Sequence, residues 1–159
     1  MRFECQESCA GRCCKLSWGG DRSYIFLTKS DMIRLGFFLG AKSPTEFASF
    51  GRFTSTRFTR GETSQWFLKT NEKGCVFLKD GKCGVYQARP LQCRSFPFWP
   101  ENMAADRWSK LKEICPGIDE GEVREGKDIT RILSEQVAAD LEIRRGFDGY
   151  VSTAHQGNA

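Results

Sequence analysis

Gly74-Cys75-Val76-Phe77-Leu78-Lys79-Asp80-Gly81-Lys82-Cys83-Gly84-Val85-Tyr86-Gln87-Ala88-Arg89-Pro90-Leu91-Gln92-Cys93 is the stretch that decides how this chain folds. Lys79-Asp80-Gly81-Lys82 reads as a tight turn, because Asp-Gly tolerates the positive φ that short hairpin loops demand. The apolar residues on either side, Cys75–Leu78 and Cys83–Tyr86, predict short strands of a small meander. Gln87–Phe96 then predicts one or two helical turns, stopped by Pro97 and Pro100. One local unit thus delivers three sulfurs, two from the meander and one from a helix.

Working outward, Gln65–Lys69 predicts another strand, with Asn71–Gly74 as its link to the meander. Residues 54–64, rich in Thr, Ser, Arg and Gly, read as a polar loop. Upstream, Tyr24–Leu27 predicts a short strand. Thr28 then caps a helix over about Lys29–Leu39, with Asp31 near its N-terminal dipole and Met32, Leu35, Phe38 and Leu39 on its apolar face. Ser43-Pro44-Thr45-Glu46 is a capping box that opens a second helix with Phe47, Phe50 and Phe53 on its buried side. Downstream, Met103–Glu113 reads as helical and Cys115-Pro116-Gly117 as a turn. Asp128 is the expected cap of the longest helix, Ile129–Arg145, with Ile129, Ile132, Leu133, Val137 and Leu141 on its buried face. Arg144 and Arg145 suit its C-terminal dipole, and Gly146 ends it.

Eight cysteines in 159 residues are more sulfur than a domain of this size needs to fold. They are grouped: Cys5, Cys9, Cys13 and Cys14 at the N-terminus, then Cys75, Cys83, Cys93 and Cys115. No apolar stretch reaches the roughly 20 residues of a membrane span, and residues 1–5 lack a signal-peptide core. The expected compartment is the cytoplasm, where thiols stay reduced, so metal ligation is favoured over a disulfide scaffold. Thiolates are soft donors that select zinc, copper(I) or iron–sulfur clusters. The four-residue spacing of Cys5, Cys9 and Cys13 brings two or three sulfurs to one centre, on a helix or in a loop. Cys13 and Cys14 are adjacent and expected to diverge, so one of them serves a second centre or stays a free thiol. The formal charge of +4 counts thiols as neutral. Eight thiolates around two divalent ions would bring it to zero, so the basic excess argues little for a nucleic-acid partner. The basic residues are also dispersed rather than gathered in a stripe.

Other residues are read more plainly. Arg89 and Arg94 bracket Pro90 and Cys93 and are candidates to stand behind the sulfurs, with Tyr86 beside them. Phe96, Phe98, Trp99 and Trp108 read as a hydrophobic core cluster. His155, the single histidine, lies in the tail and is not read as a ligand. Neither a phosphate-binding glycine loop nor an acid–base pair of carboxylates stands out.

At this point the chain resembles a family. Phe3-x-Cys5, Cys9 and Cys13-Cys14, then Leu27-Thr28-x-x-Asp31, Gly74–Leu78, Gly81-x-Cys83-x-Val85-Tyr86-x-x-Arg89-Pro90-x-x-Cys93-Arg94-x-Phe96-Pro97, and Cys115-x-Gly117 resemble, in order, the blocks of the YkgJ-type CxxCxxCC cysteine-cluster proteins. The resemblance spans roughly residues 3–117. It departs in the first gap, where three residues rather than two separate Cys5 from Cys9. The resemblance implies zinc or iron chelation, often as an iron–sulfur cluster. A branch related to flagellin lysine methylases implies an accessory role in protein modification. The Cys-x3-Cys-x3-Cys spacing misses the Cys-x3-Cys-x2-Cys of radical enzymes that use S-adenosylmethionine.

The expected architecture is α+β: a small, mostly helical domain (residues 1–147) with a short hairpin or meander, stapled by cysteine-bound metal, and a tail over 148–159. The expected ligands are Cys5, Cys9, Cys13, Cys14, Cys75, Cys83, Cys93 and Cys115. The expected cofactor is an iron–sulfur cluster, with a redox or electron-transfer role for a protein partner. The alternative is zinc, in a structural, interaction or metal-handling module without catalysis. No membrane partner is expected.

Overall fold

The computed structural model describes residues 1–15, 25–43, 46, 54–58 and 64–146, with only the backbone of 54–58 and 64. The body of the helix expected after Ser43, His155 and the expected tail lie outside the described residues.

The chain opens with strand β1 (Arg2–Phe3) and a one-turn helix α1 (Arg12–Lys15). Strand β2 (Ile25–Leu27) leads into helix α2 (Lys29–Phe38). The expected cap is present: the Thr28 hydroxyl accepts from the Asp31 N–H at 3.1 Å, and the Asp31 carboxylate accepts from the Thr28 N–H at 3.1 Å. This reciprocal pair satisfies two helix-end donors that would otherwise be buried without partners. Phe38 departs from the expectation: it is 48 % exposed, while Met32 and Leu35 are buried. The Ser43 hydroxyl accepts from the Glu46 N–H at 3.1 Å, the first half of the expected capping box. The Glu46 carboxylate accepts from the Lys42 N–H at 2.5 Å.

Strands β3 (Thr54–Phe58) and β4 (Ser64–Leu68) form a hairpin, and β2 adds to the other edge of β4, giving an antiparallel order β2-β4-β3. The expected polar loop over 54–64 is thus corrected in its first half. Thr54, Thr56 and Phe58 are strand formers, and the full five-residue register with β4 supplies the backbone partners that local polarity does not reveal. The meander follows as two minimal ladders: β5 (Thr70–Asn71) with β6 (Gly74–Cys75), then β7 (Leu78–Lys79) with β8 (Lys82–Cys83). The predicted Asp-Gly turn joins the second pair, with Asp80 at φ 49° and Gly81 at φ 75°. Both central residues in the left-handed region match the right-handed twist of the strands.

Helix α3 (Leu91–Ser95) starts directly after Pro90, and α4 (Ala105–Ile114) follows. Strand β9 (Ile118–Val123) returns to pair antiparallel with β1, matching Phe3 with Ile118. Helix α5 (Gly126–Arg145) closes the described chain. It begins earlier than expected, at a cap formed by Glu125, and Asp128 lies in its first turn. Its apolar face is also rotated. Val137 and Leu141 are exposed at 54 % and 50 %, whereas Ile129 and Ile132 pack on the core. Gln136 explains part of the rotation, because its amide donates to the Ser95 hydroxyl at 2.6 Å and draws that face inward.

Two buried clusters hold these elements. One gathers Leu27, Met32, Leu35, Trp66, Leu68 and Phe77 between α2, the three-stranded sheet and the meander. The other gathers Phe96, Phe98, Trp108, Leu111, Cys115 and Ile118, with Phe3 packed against it. The expected aromatic core cluster is found here, with edge-on contacts between Phe3 and both Phe96 and Phe98. Each fully buried Leu or Phe contributes about 1.5–3 kcal/mol. The fold is α+β, as expected. No helix among the described residues is long and apolar enough to cross a membrane.

Candidate metal centre

The seam between the two clusters is a cavity of about 440 Å³. Seven sulfurs line it: Cys5, Cys9, Cys13, Cys14, Cys75, Cys83 and Cys93. All eight cysteines are free thiols. Cys115 is buried beside the cavity rather than on its wall, with Cys9, Cys13 and Cys5 among its thiol neighbours.

Each group arrives for a local reason. The Glu7–Cys9 turn places Cys9 inward, with its N–H bonded to the Gln6 carbonyl at 3.0 Å. Helix α1 carries Cys13 and Cys14. The β7–β8 hairpin pairs Leu78 with Cys83, and the Gly84 N–H donates to the Phe77 carbonyl at 2.8 Å, folding Cys83 back towards Cys75. Cys93 rides on α3. Two glycines let the N-terminal segment approach. A Cβ on Gly74 would stand 2.3 Å from the Cys14 carbonyl, and one on Gly117 would stand 2.1 Å from the Glu4 carbonyl. Only glycine fits at either place.

Three sulfurs share a device that the spacing did not reveal. Cys75 accepts a hydrogen bond from the Phe77 N–H, Cys83 from the Val85 N–H and Cys115 from the Gly117 N–H. Each donor lies two residues beyond its sulfur, so the turn after each cysteine presents an N–H to a thiolate. Such donors favour the ionised, ligating form.

Burial acts the other way. It raises the thiol pKa of Cys5, Cys75, Cys83, Cys93 and Cys115. Cys13 is also raised, first by its hydrogen bond with the Cys14 thiol and then by burial. The vicinal pair therefore does not simply diverge. Both thiols reach the same cavity and touch each other. No three described Cys, His, Asp or Glu side chains are drawn in tightly enough to hold one ion. A tetrahedron of 2.3 Å bonds would draw four of these sulfurs to roughly 3.8 Å from one another. Ringed around a common cavity, the donors fit a soft metal or cluster in number and in chemistry.

Arg89 supplies the positive charge. Its guanidinium stacks 3.8 Å from the Tyr86 ring centroid, and its Nε donates to the Tyr86 carbonyl at 3.2 Å. Arg89 and Tyr86 both line the cavity. The Arg89 charge opposes the upward shifts of Cys5, Cys13, Cys83 and Cys93. Arg94 is exposed and stands outside the cavity lining. Arg89→Ala is expected to lower metal affinity about 10–100-fold, the usual effect of losing a group that supports the ligands. Competition against a chromophoric chelator measures it, and an unchanged affinity would remove Arg89 from the centre.

Asp31 and Arg34 hold this region in place. The Asp31 carboxylate accepts from the Leu91 N–H at 2.9 Å and pairs with Arg34, whose guanidinium donates to the Arg89 carbonyl at 2.9 Å. Helix α2 thereby fixes the Arg89–Leu91 link from which α3 and Cys93 emerge.

Residues 4–116 match the family described as "CxxCxxCC: Putative zinc- or iron-chelating domain". A Methanocaldococcus jannaschii protein named "Uncharacterized protein MJ0939" is 29% identical over 133 residues. That alignment covers 77% of this chain, and the chain spans 39% of the relative's length. No solved structure matches the chain. With a soft-donor cavity built from the matched blocks, and with the family match covering most of its length, the chain belongs to the CxxCxxCC family of zinc- or iron-chelating domains.

Proposed function

We propose that the cysteine cavity holds an iron–sulfur cluster and that the domain serves a redox step for a protein partner. The observation that carries this reading is the ring of seven sulfurs around about 440 Å³, a space far larger than one ion occupies. When bound, such a cluster supplies one-electron chemistry, with a potential set by hydrogen bonds to its sulfurs and by exposure to solvent. The chain has groups suited to both controls. The N–H donors of Phe77, Val85 and Gly117 reach three sulfurs. Phe96 and Trp99 form an apolar wall, while Cys5 and Cys13 face the exposed side.

A structural zinc module is the second reading. The same N–H donors suit a closed tetrathiolate zinc, and residues 1–15 bury little besides Cys9. Anaerobic purification followed by iron, sulfide and zinc counts separates the two. A brown protein with matching iron and sulfide supports the redox reading. A colourless protein with stoichiometric zinc overturns it in favour of the structural module.

A further inference from the structure

We propose that the eight cysteines form two adjoining tetrathiolate sites, Cys5, Cys9, Cys13 and Cys115 in one and Cys14, Cys75, Cys83 and Cys93 in the other, with the vicinal pair on their common border. The inference rests on metal binding by these thiols but not on which metal is bound.

Backbone contacts divide the sulfurs. On one side, β1 and β9 pair, and the Glu4 N–H donates to the Gly117 carbonyl at 3.1 Å. The tight approach of Gly117 to Glu4 then sets Cys115, two residues before the glycine, against Cys5, one residue after the glutamate. Cys9 is the buried sulfur of the same N-terminal segment. On the other side, Gly74 rests on the Cys14 carbonyl, and Cys14 packs in the same cluster as Cys75 and Cys83. Cys115 belongs to the opposite cluster, with Phe96 and Ile118.

Cys5, Cys9 and Cys115 lie near one another, as do Cys75, Cys83 and Cys93, and Cys13 lies near both groups. Cys13 is the neighbour common to both groups, and its thiol contacts that of Cys14. With Cys14 embedded beside Cys75 and Cys83, Cys13 is the sulfur left to complete the Cys5, Cys9 and Cys115 set. Four thiolates per site is the complement of a closed zinc or a cubane cluster. Two dications held by eight thiolates would also balance the chain's formal +4.

Cobalt(II) titrated anaerobically into the reduced, metal-free full chain tests the division, because tetrathiolate cobalt has intense visible bands that count sites directly. The parent chain is expected to take two cobalt ions, both tetrathiolate. Cys9→Ser and Cys115→Ser should each abolish one site and leave the other, as should Cys75→Ser and Cys83→Ser. The division requires that at least one variant from each set keep one tetrathiolate ion; any lesser result overturns it, as does a parent that binds a single ion. Far-UV circular dichroism identifies a variant that has failed to fold, and the second variant of its set then decides. A parent that takes up no cobalt and is purified without metal would overturn the metal-binding reading itself.

Discussion

Stripping the bound metal is expected to release residues 4–15 from the domain while leaving α2 and its core intact. Of residues 1–15, only Cys9 is fully buried. The other attachments described include the short β1–β9 ladder, the packing of Phe3 on Phe96 and Phe98, Cys14 at the edge of the first cluster and the glycine approaches at Gly74 and Gly117. A structural tetrathiolate site contributes on the order of 10 kcal/mol in small metal domains, far more than these contacts supply. The measurement is amide hydrogen exchange before and after chelation under reducing, anaerobic conditions. The Cys9, Ala10 and Cys14 amides, bonded to Gln6, Glu7 and Gly11, should lose protection by more than about 100-fold, or roughly 3 kcal/mol. The Leu39 amide, bonded to Leu35 within the α2 region, should change little. Equal protection at Cys9–Cys14 before and after stripping would show that the segment is held by packing alone.

The pH dependence of this release has a definite sign. In the metal-free fold, burial holds the thiols of Cys75, Cys83 and Cys93 above their ordinary value of 9.0. Metal must displace those protons, so affinity should rise with pH and stripping should become easier as pH falls. The metal-free fold behaves oppositely. Its preference for neutral thiols stabilises it below 9.0, and that contribution is lost as pH climbs through the raised values.

Asp31→Ala is expected to be the most damaging substitution outside the cysteines, at about 3–5 kcal/mol in urea unfolding. The Asp31 side chain is only 1% exposed and accepts from two backbone donors, Thr28 and Leu91, while pairing with Arg34. Removing it leaves two buried N–H groups without an acceptor, each worth about 1–3 kcal/mol. Arg34 is one-third exposed, so its lost partner is partly replaced by water and the ion pair adds little beyond this. Metal content should fall as well, because Leu91 opens the helix that carries Cys93. Asp31→Asn, which keeps an acceptor oxygen, should retain much of the stability. A loss below about 1 kcal/mol for the alanine variant would mean that the Leu91 segment is held by other contacts.

Local chemistry was legible where partners lie close in sequence. The Thr28–Asp31 cap, the Asp80-Gly81 turn, the Gly146 stop and the grouping of Cys75, Cys83 and Cys93 all depend on neighbours within a few residues or within one hairpin. The expected loop at 54–64 failed in its first half because the strand there is defined by a partner strand. Val137 and Leu141 fit a helical apolar stripe, yet the tie between Gln136 and Ser95, 41 residues apart, turns α5 so that they face outward. The N–H donors to sulfur also escaped notice, since they depend on turn geometry rather than on residue type.

Composition and spacing by themselves determined that this chain presents soft sulfur donors in ordered blocks, because ligand chemistry and turn chemistry are written in residue identity. Tertiary structure alone decided which cysteine-bearing segments meet. Cys115 lies 110 positions from Cys5, and Cys75 lies 61 from Cys14, yet each pair is joined by a backbone approach that only a glycine permits. Those approaches are fixed by how β9 returns to β1 and how the meander rests on α1, and no local spacing encodes a crossing of that kind.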